Sequence, residues 1–140
     1  MEKNVSEKGL MIGDWVILKT NKRNIPIKVE EILGVGINGI WDYQELRSYD
    51  SYLDLYHIPL TKEILTKNAF IRKEEDCVGK WQHYDKGELS PFVDFELEES
   101  RHDEFFCLGG AVNVKIKTVA DLQHALRLCR LEEVAENIIV

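Results

Sequence analysis

Hydrophobic and polar residues alternate along much of the chain with the two-residue period of a half-buried strand. Residues 10–18 predict a first strand, with Gly13-Asp14 as a turn or bulge near its start. Residues 20–24 (Thr-Asn-Lys-Arg-Asn) read as a polar loop. Residues 25–33 predict a second strand whose register slips between Val29 and Ile32, as a bulge would cause. Asn38-Gly39 is the strongest hairpin signal, because both residue types tolerate φ > 0. Residues 40–43 then return as a strand. Residues 52–58 form another, with Leu53 and Leu55 alternating against Asp54 and Tyr56.

Pro59 closes this stretch. Short strands with tight turns over residues 10–59 predict a small SH3-like barrel, preceded by a flexible tail at residues 1–9. Thr61 is placed to cap a short helix bearing Ile64 and Leu65, with Asn68 as its left-handed stop. Strands are predicted at 70–73, 79–84, 92–98 and 104–108, with a turn at 84–87. Val112, Val114 and Ile116 alternate against Asn113, Lys115 and Lys117. A helix follows from Thr118, with Asp121 completing something close to a capping box. Val119, Leu122, Leu126 and Cys129 share one face, which Ala125 and Leu128 widen. Residues 131–138 add a helical turn, and 138–140 are a candidate terminal strand. The fold class is α+β: the barrel packed on a C-terminal antiparallel sheet with two helices, residues 60–140 sharing a core with it.

At 140 residues and 44% apolar composition the chain can bury a core without disulfides or metal. Eighteen basic against 25 acidic residues give a net charge of −7, which disfavours non-specific nucleic-acid binding. The acidity is regional: residues 74–104 hold 11 acidic and 3 basic groups. No apolar run approaches a membrane span, and residues 1–9 lack the apolar core of a secretion signal. Three cysteines, Cys77, Cys107 and Cys129, fit reduced thiols in a cytoplasm.

Candidate chemistry is sparse. Residues 34–39 match the dinucleotide fingerprint G-x-G-x-x-G, but strand-like residues follow where that mechanism needs a helix. Cys77, His83, His102 and Cys107 are too widely spaced for a zinc knuckle, so no metal and no cofactor is expected. His102-Asp103-Glu104 gathers titratable groups without the convergence a catalytic set needs. Asp94, Glu96 and Glu98 would stand about 6.6 Å apart along one strand face, a spacing that resembles a phosphate row. Lys19, Lys22, Arg23 and Lys28 cluster near Trp15, Trp41 and Tyr43, the mixture of charge and rings that binding grooves use.

Three blocks carry a family resemblance. They are residues 11–16 (MIGDWV), residues 58–70 (IPLT, then Ile64-Leu65, Lys67-Asn68 and Phe70), and residues 114–129 ending in LQHALRLC. The chain resembles a group of small proteins of Bacteroides-type bacteria and their phages or prophages. The resemblance implies a cytoplasmic, phage-derived setting and supplies no activity. The expectation is a non-enzymatic module that binds a protein partner through Trp15, Lys19, Lys22, Arg23, Trp41 and Tyr43. One alternative is an acidic nucleic-acid mimic built on Asp94, Glu96 and Glu98; the other is a nucleic-acid-binding barrel.

Overall fold

The computed structural model describes residue 5 and residues 9–41, 46–75, 78–85, 88–89, 95–99, 104–107 and 114–140. It is a mixed α+β protein with two compact units, one running through Pro59 and including Thr118–Ala120, the other holding the remainder.

The first unit is a curled five-stranded antiparallel sheet. Its strands are β1 (Trp15–Lys19), β2 (Asn24–Ile32), β3 (Gly36–Trp41), β4 (Leu46–Ser51) and β5 (Leu55–His57). They lie in the order β4-β3-β2-β1-β5. A turn precedes β1: the Met11 N–H donates to Asp14 Oδ2 at 2.8 Å and the Asp14 N–H donates to Met11 O at 3.1 Å. Gly13 takes φ 92° inside it, a conformation that favours glycine. Asp14 is fully buried by this duty. The expected bulge is present in β2, where the register with β3 shifts between Val29 and Glu31. Val16, Ile27, Ile37 and Leu55 have no exposed surface and centre the core.

The Asn38-Gly39 turn is not formed. Both residues sit inside β3, Asn38 opposite Glu31 and Tyr49, Gly39 opposite Val29 and Ser48. The β2–β3 hairpin turns instead at residues 33–36, where the Leu33 N–H donates to Gly36 O at 2.9 Å. That register delivers Ile37 to the core, and burying it outweighs the turn preference of Asn-Gly. Gly39 has another duty: a Cβ there would lie 2.3 Å from Ile27 Cγ2. Residues 52–58 also differ from expectation. Tyr52–Asp54 form one 3-10 turn, capped by Ser51, and Leu53 is 78% exposed. Only Leu55–His57 are strand.

The second unit holds α1 (Lys62–Lys67) and a sheet of β6 (Phe70–Glu75), β7 (Val78–Asp85), β8 (Glu88–Leu89), β9 (Glu96–Glu99), β10 (Phe105–Cys107) and β11 (Val114–Ile116). The order is β11-β10-β9-β7-β6, with β8 paired to β7. Thr61 caps α1, its hydroxyl accepting from the Ile64 N–H at 3.2 Å. The left-handed residue after α1 is Ala69, φ 65°, and not Asn68. The Asn68 carboxamide is occupied elsewhere: it accepts from the Ile139 N–H at 2.7 Å and donates to Ile139 O at 2.7 Å. Residues 138–140 are held by that side chain and show no strand.

Helices α2 (Val119–Leu128) and α3 (Glu132–Glu136) complete the chain. Asp121 accepts from the Lys117 N–H at 3.0 Å, one residue before the position a capping box would use. Val119, Leu122 and Leu126 have no exposed surface, whereas Leu128 is 68% exposed and does not widen that face. Gln123 Nε2 donates to Ala135 O at 3.2 Å, tying α3 to α2. Among the described residues no helix is long and apolar enough to cross a membrane.

Candidate functional site

The basic-aromatic cluster is built around the turn that joins β1 to β2. Thr20 organises it: its hydroxyl donates to Arg23 O at 2.7 Å and accepts from the Lys22 and Arg23 N–H groups. The Thr20 N–H donates to Arg23 O at 3.1 Å and closes the turn. Lys22 and Arg23 are therefore presented on a fixed backbone, and both are exposed. Lys19 Nζ lies 4.5 Å from the centre of the Tyr56 ring. The Arg23 guanidinium lies 5.6 Å from the centre of the Trp41 ring. Each contact restricts a long cationic side chain, so less freedom is lost when it meets a ligand.

The other members of the cluster fare differently. Trp15 is only 3% exposed and does not present its ring to a partner. Trp41 is half-buried against the core of the first unit. Tyr43 lies outside the described residues. Tyr56, which the sequence did not single out, takes the aromatic place beside Lys19. The pairing of β5 with β1 puts Tyr56 opposite Ile17, on the face that Lys19 shares.

The acidic strand is not an edge strand. β9 lies between β7 and β10. Glu96 is half-buried and accepts from Gln82 Nε2 at 2.6 Å. Glu98 is half-buried, opposite Lys80 on β7 and Phe106 on β10. Asp94 lies outside the described residues.

Alternation along β9 brings a carboxylate to the inner face as well. Phe95, Leu97 and Glu99 are all buried, so Glu99 takes an apolar position. Its oxygens accept from Lys62 Nζ at 2.8 Å, Arg72 Nε at 3.1 Å and Trp81 Nε1 at 3.1 Å. Gly79, directly opposite Glu99, leaves room for this: a Cβ there would lie 2.7 Å from Arg72 Nε. Burial pushes the Glu99 carboxyl up, but the bonds from Lys62, Trp81 and Arg72 outweigh it and hold the group below its usual range. The sequence carried a signal for this site, since Glu99 is in phase with Phe95 and Leu97. The cations come from α1 and β6, which no local pattern links to it.

Among the described residues no three His, Cys, Asp or Glu side chains gather as a metal site. Of the four residues weighed for zinc, Cys77 and His102 lie outside the described residues. His83 packs edge-on against Phe70, with ring centres 5.0 Å apart. Cys107 is buried, and burial pushes the Cys129 thiol up, with Cys107 the smaller, opposing cause. Gly34 lies in the β2–β3 turn, and Gly36 and Gly39 lie in β3. The glycines thus lead into a strand, without the helix N-terminus that a dinucleotide pyrophosphate needs. Compared with protein-family models, curated proteins and solved structures, the chain finds no match.

Proposed function

We propose that the chain is a non-enzymatic interaction module whose first unit is an SH3-like barrel that binds an acidic segment of a protein partner. The connectivity supports the barrel: a β1–β4 meander, one 3-10 turn, and a fifth strand laid back on β1. The observation that carries the function is the pair of cation–ring contacts, Lys19 on Tyr56 and Arg23 on Trp41, beside the ordered turn bearing Lys22. Nucleic-acid grooves use open ring faces to stack bases. Here a cation of the same chain lies over each ring, which favours carboxylate recognition over base stacking. Among the described residues, the buried polar side chains are taken up by structural duties. Asp14 holds a turn, Asn68 and Gln123 hold backbone groups, and Glu99 sits in an ion cluster. The proposed setting is cytoplasmic and of phage or prophage type, on the resemblance of the three blocks.

The test titrates the full chain into a labelled poly-acidic peptide and, separately, a labelled oligothymidylate, following fluorescence anisotropy. The peptide should bind the more tightly, and binding should weaken as salt is raised. Lys22→Glu with Arg23→Glu should weaken peptide binding by at least about tenfold, about 1.4 kcal/mol. Peptide binding that ignores the double charge reversal sinks the proposal. Tighter binding of the oligothymidylate replaces it with a nucleic-acid-binding barrel.

A further inference from the structure

β4 is an end strand of the first sheet: β3 lies on one side, and among the described residues no strand lies on the other. All six of its residues pair with β3 in one unbroken register, so the backbone groups of its far side form an uninterrupted row. The other end strands are blunted. β5 and β11 have three residues each, and β5 runs into Ile58 and Pro59. β6 carries Arg72, Lys73, Glu74 and Glu75. β4 has no proline, glycine or lysine to discourage a further strand. Three exposed apolar side chains gather where β4 ends. Tyr49, 52% exposed, reaches across Gly36, its hydroxyl 3.1 Å from where a Cβ there would stand. Val35, 71% exposed, follows on: its carbonyl accepts from the Tyr52 N–H at 3.3 Å, which brings the exposed Leu53 alongside. Alternation puts Tyr49 and Asp50 on opposite faces of β4, Tyr49 opposite Asn38 and Asp50 opposite Ile37. The surroundings are acidic: residues 29–55 hold six acidic groups and one basic group, Arg47, and Glu31 and Asp54 are exposed.

We propose that the outer edge of β4, with Val35, Tyr49 and Leu53, is a second docking site, which takes an extended segment of a protein partner that alternates apolar residues with lysine or arginine. The segment adds to the sheet as a strand beside β4, and its backbone bonds to the open row. Its apolar residues fall on the Tyr49 face, and Val35 and Leu53 extend that apolar surface beyond the strand end. Its cations fall on the Asp50 face. A second copy of this chain fits less well, because it would set one acidic edge against another. The site is separate from the Thr20 turn, which takes acidic ligands between β1 and β2.

The experiment titrates the full chain into a labelled peptide of alternating valine and lysine, about eight residues long so that it covers β4 at about 3.4 Å per residue. A valine–glutamate peptide of the same length is the control, and fluorescence anisotropy is the readout. The valine–lysine peptide should bind at least about tenfold more tightly. Val35→Ser with Leu53→Ser, both exposed and so harmless to the core, should weaken it by about tenfold, whereas Lys22→Glu with Arg23→Glu should not weaken it. Two further probes carry N-methyl groups on alternate residues, one probe for each phase. Only one phase leaves the bonds to β4 intact, so one probe should bind like the parent peptide and the other should fail. Equal binding of the lysine and glutamate peptides, or of the two methylated probes, overturns the proposal. So does binding that ignores Val35→Ser with Leu53→Ser. A dimer in sedimentation that those two changes dissociate also overturns it, and makes a second copy the occupant.

Discussion

Gly39 and Glu99 show how a single side chain, or its lack, sets the local structure. A Cβ at Gly39 would lie 2.3 Å from Ile27 Cγ2 and 2.9 Å from Lys28 O. Gly39→Ala should therefore lower stability by about 1–3 kcal/mol in urea unfolding, through forced displacement of Ile27. An unchanged midpoint would refute the close approach. At Glu99 the folded carboxyl titrates below its ordinary value near 4.5. The unfolded chain then takes up the proton first as pH falls. The stability that Glu99 contributes is complete above about pH 4.5 and is lost progressively as pH drops towards and through the lower folded value. Glu99→Gln should flatten this acid limb in thermal melts and cost about 1–3 kcal/mol at pH 7. The cost stays moderate because Lys62 and Arg72, 49% and 38% exposed, can be rehydrated.

Among the elements, α2 is the most instructive. It ends on Arg130 at φ 61°, a conformation that costs an ordinary residue about 1 kcal/mol and glycine little. Arg130→Gly should stabilise the protein by about 0.5–1 kcal/mol, seen as a higher melting temperature; a lower one would refute the assigned helix end. Leu126→Ala, at a position with no exposed surface, should cost about 2–5 kcal/mol. Helix α2 was legible in the sequence because its inner face follows a 3.6 period. The β2 bulge was legible because the alternation visibly slips, and the α1 cap because Thr61 stands three residues before Ile64. β4 was not, since Leu-Arg-Ser-Tyr-Asp-Ser carries little alternation and lies at the end of its sheet. Asn38-Gly39 misled because an Asn-Gly turn and a glycine needed for close approach look the same in one dimension. Of the candidate site, Lys19, Lys22, Arg23 and Trp41 were legible as a local cluster. Tyr56 was not, because only the long-range pairing of β5 with β1 brings it there.

For the whole molecule, the net charge of −7 describes the proposed binding surface at the Thr20 turn poorly. Much of the acidity falls in residues 74–104, and there Glu99 is neutralised by Lys62 and Arg72 while Glu96 is bonded to Gln82. The net charge of −7 still sets an unfavourable long-range field for an acidic partner approaching the Thr20 turn. Its association should quicken as moderate salt screens that field, even as the bound complex loosens; stopped-flow rates that fall from the first addition of salt would contradict this. The closing of β5 on β1 has a consequence in time. The β1–β2 and β2–β3 hairpins join neighbours in sequence, but Leu18 must wait for Leu55. Late strand closure pays its loop entropy after the meander has formed. Leu55→Ala should then accelerate unfolding and leave refolding nearly untouched, with φ below about 0.3, whereas Ile27→Val should slow refolding. In a sheet built this way the β1–β5 seam joins the strands farthest apart in sequence, and until it forms β1 keeps an open edge.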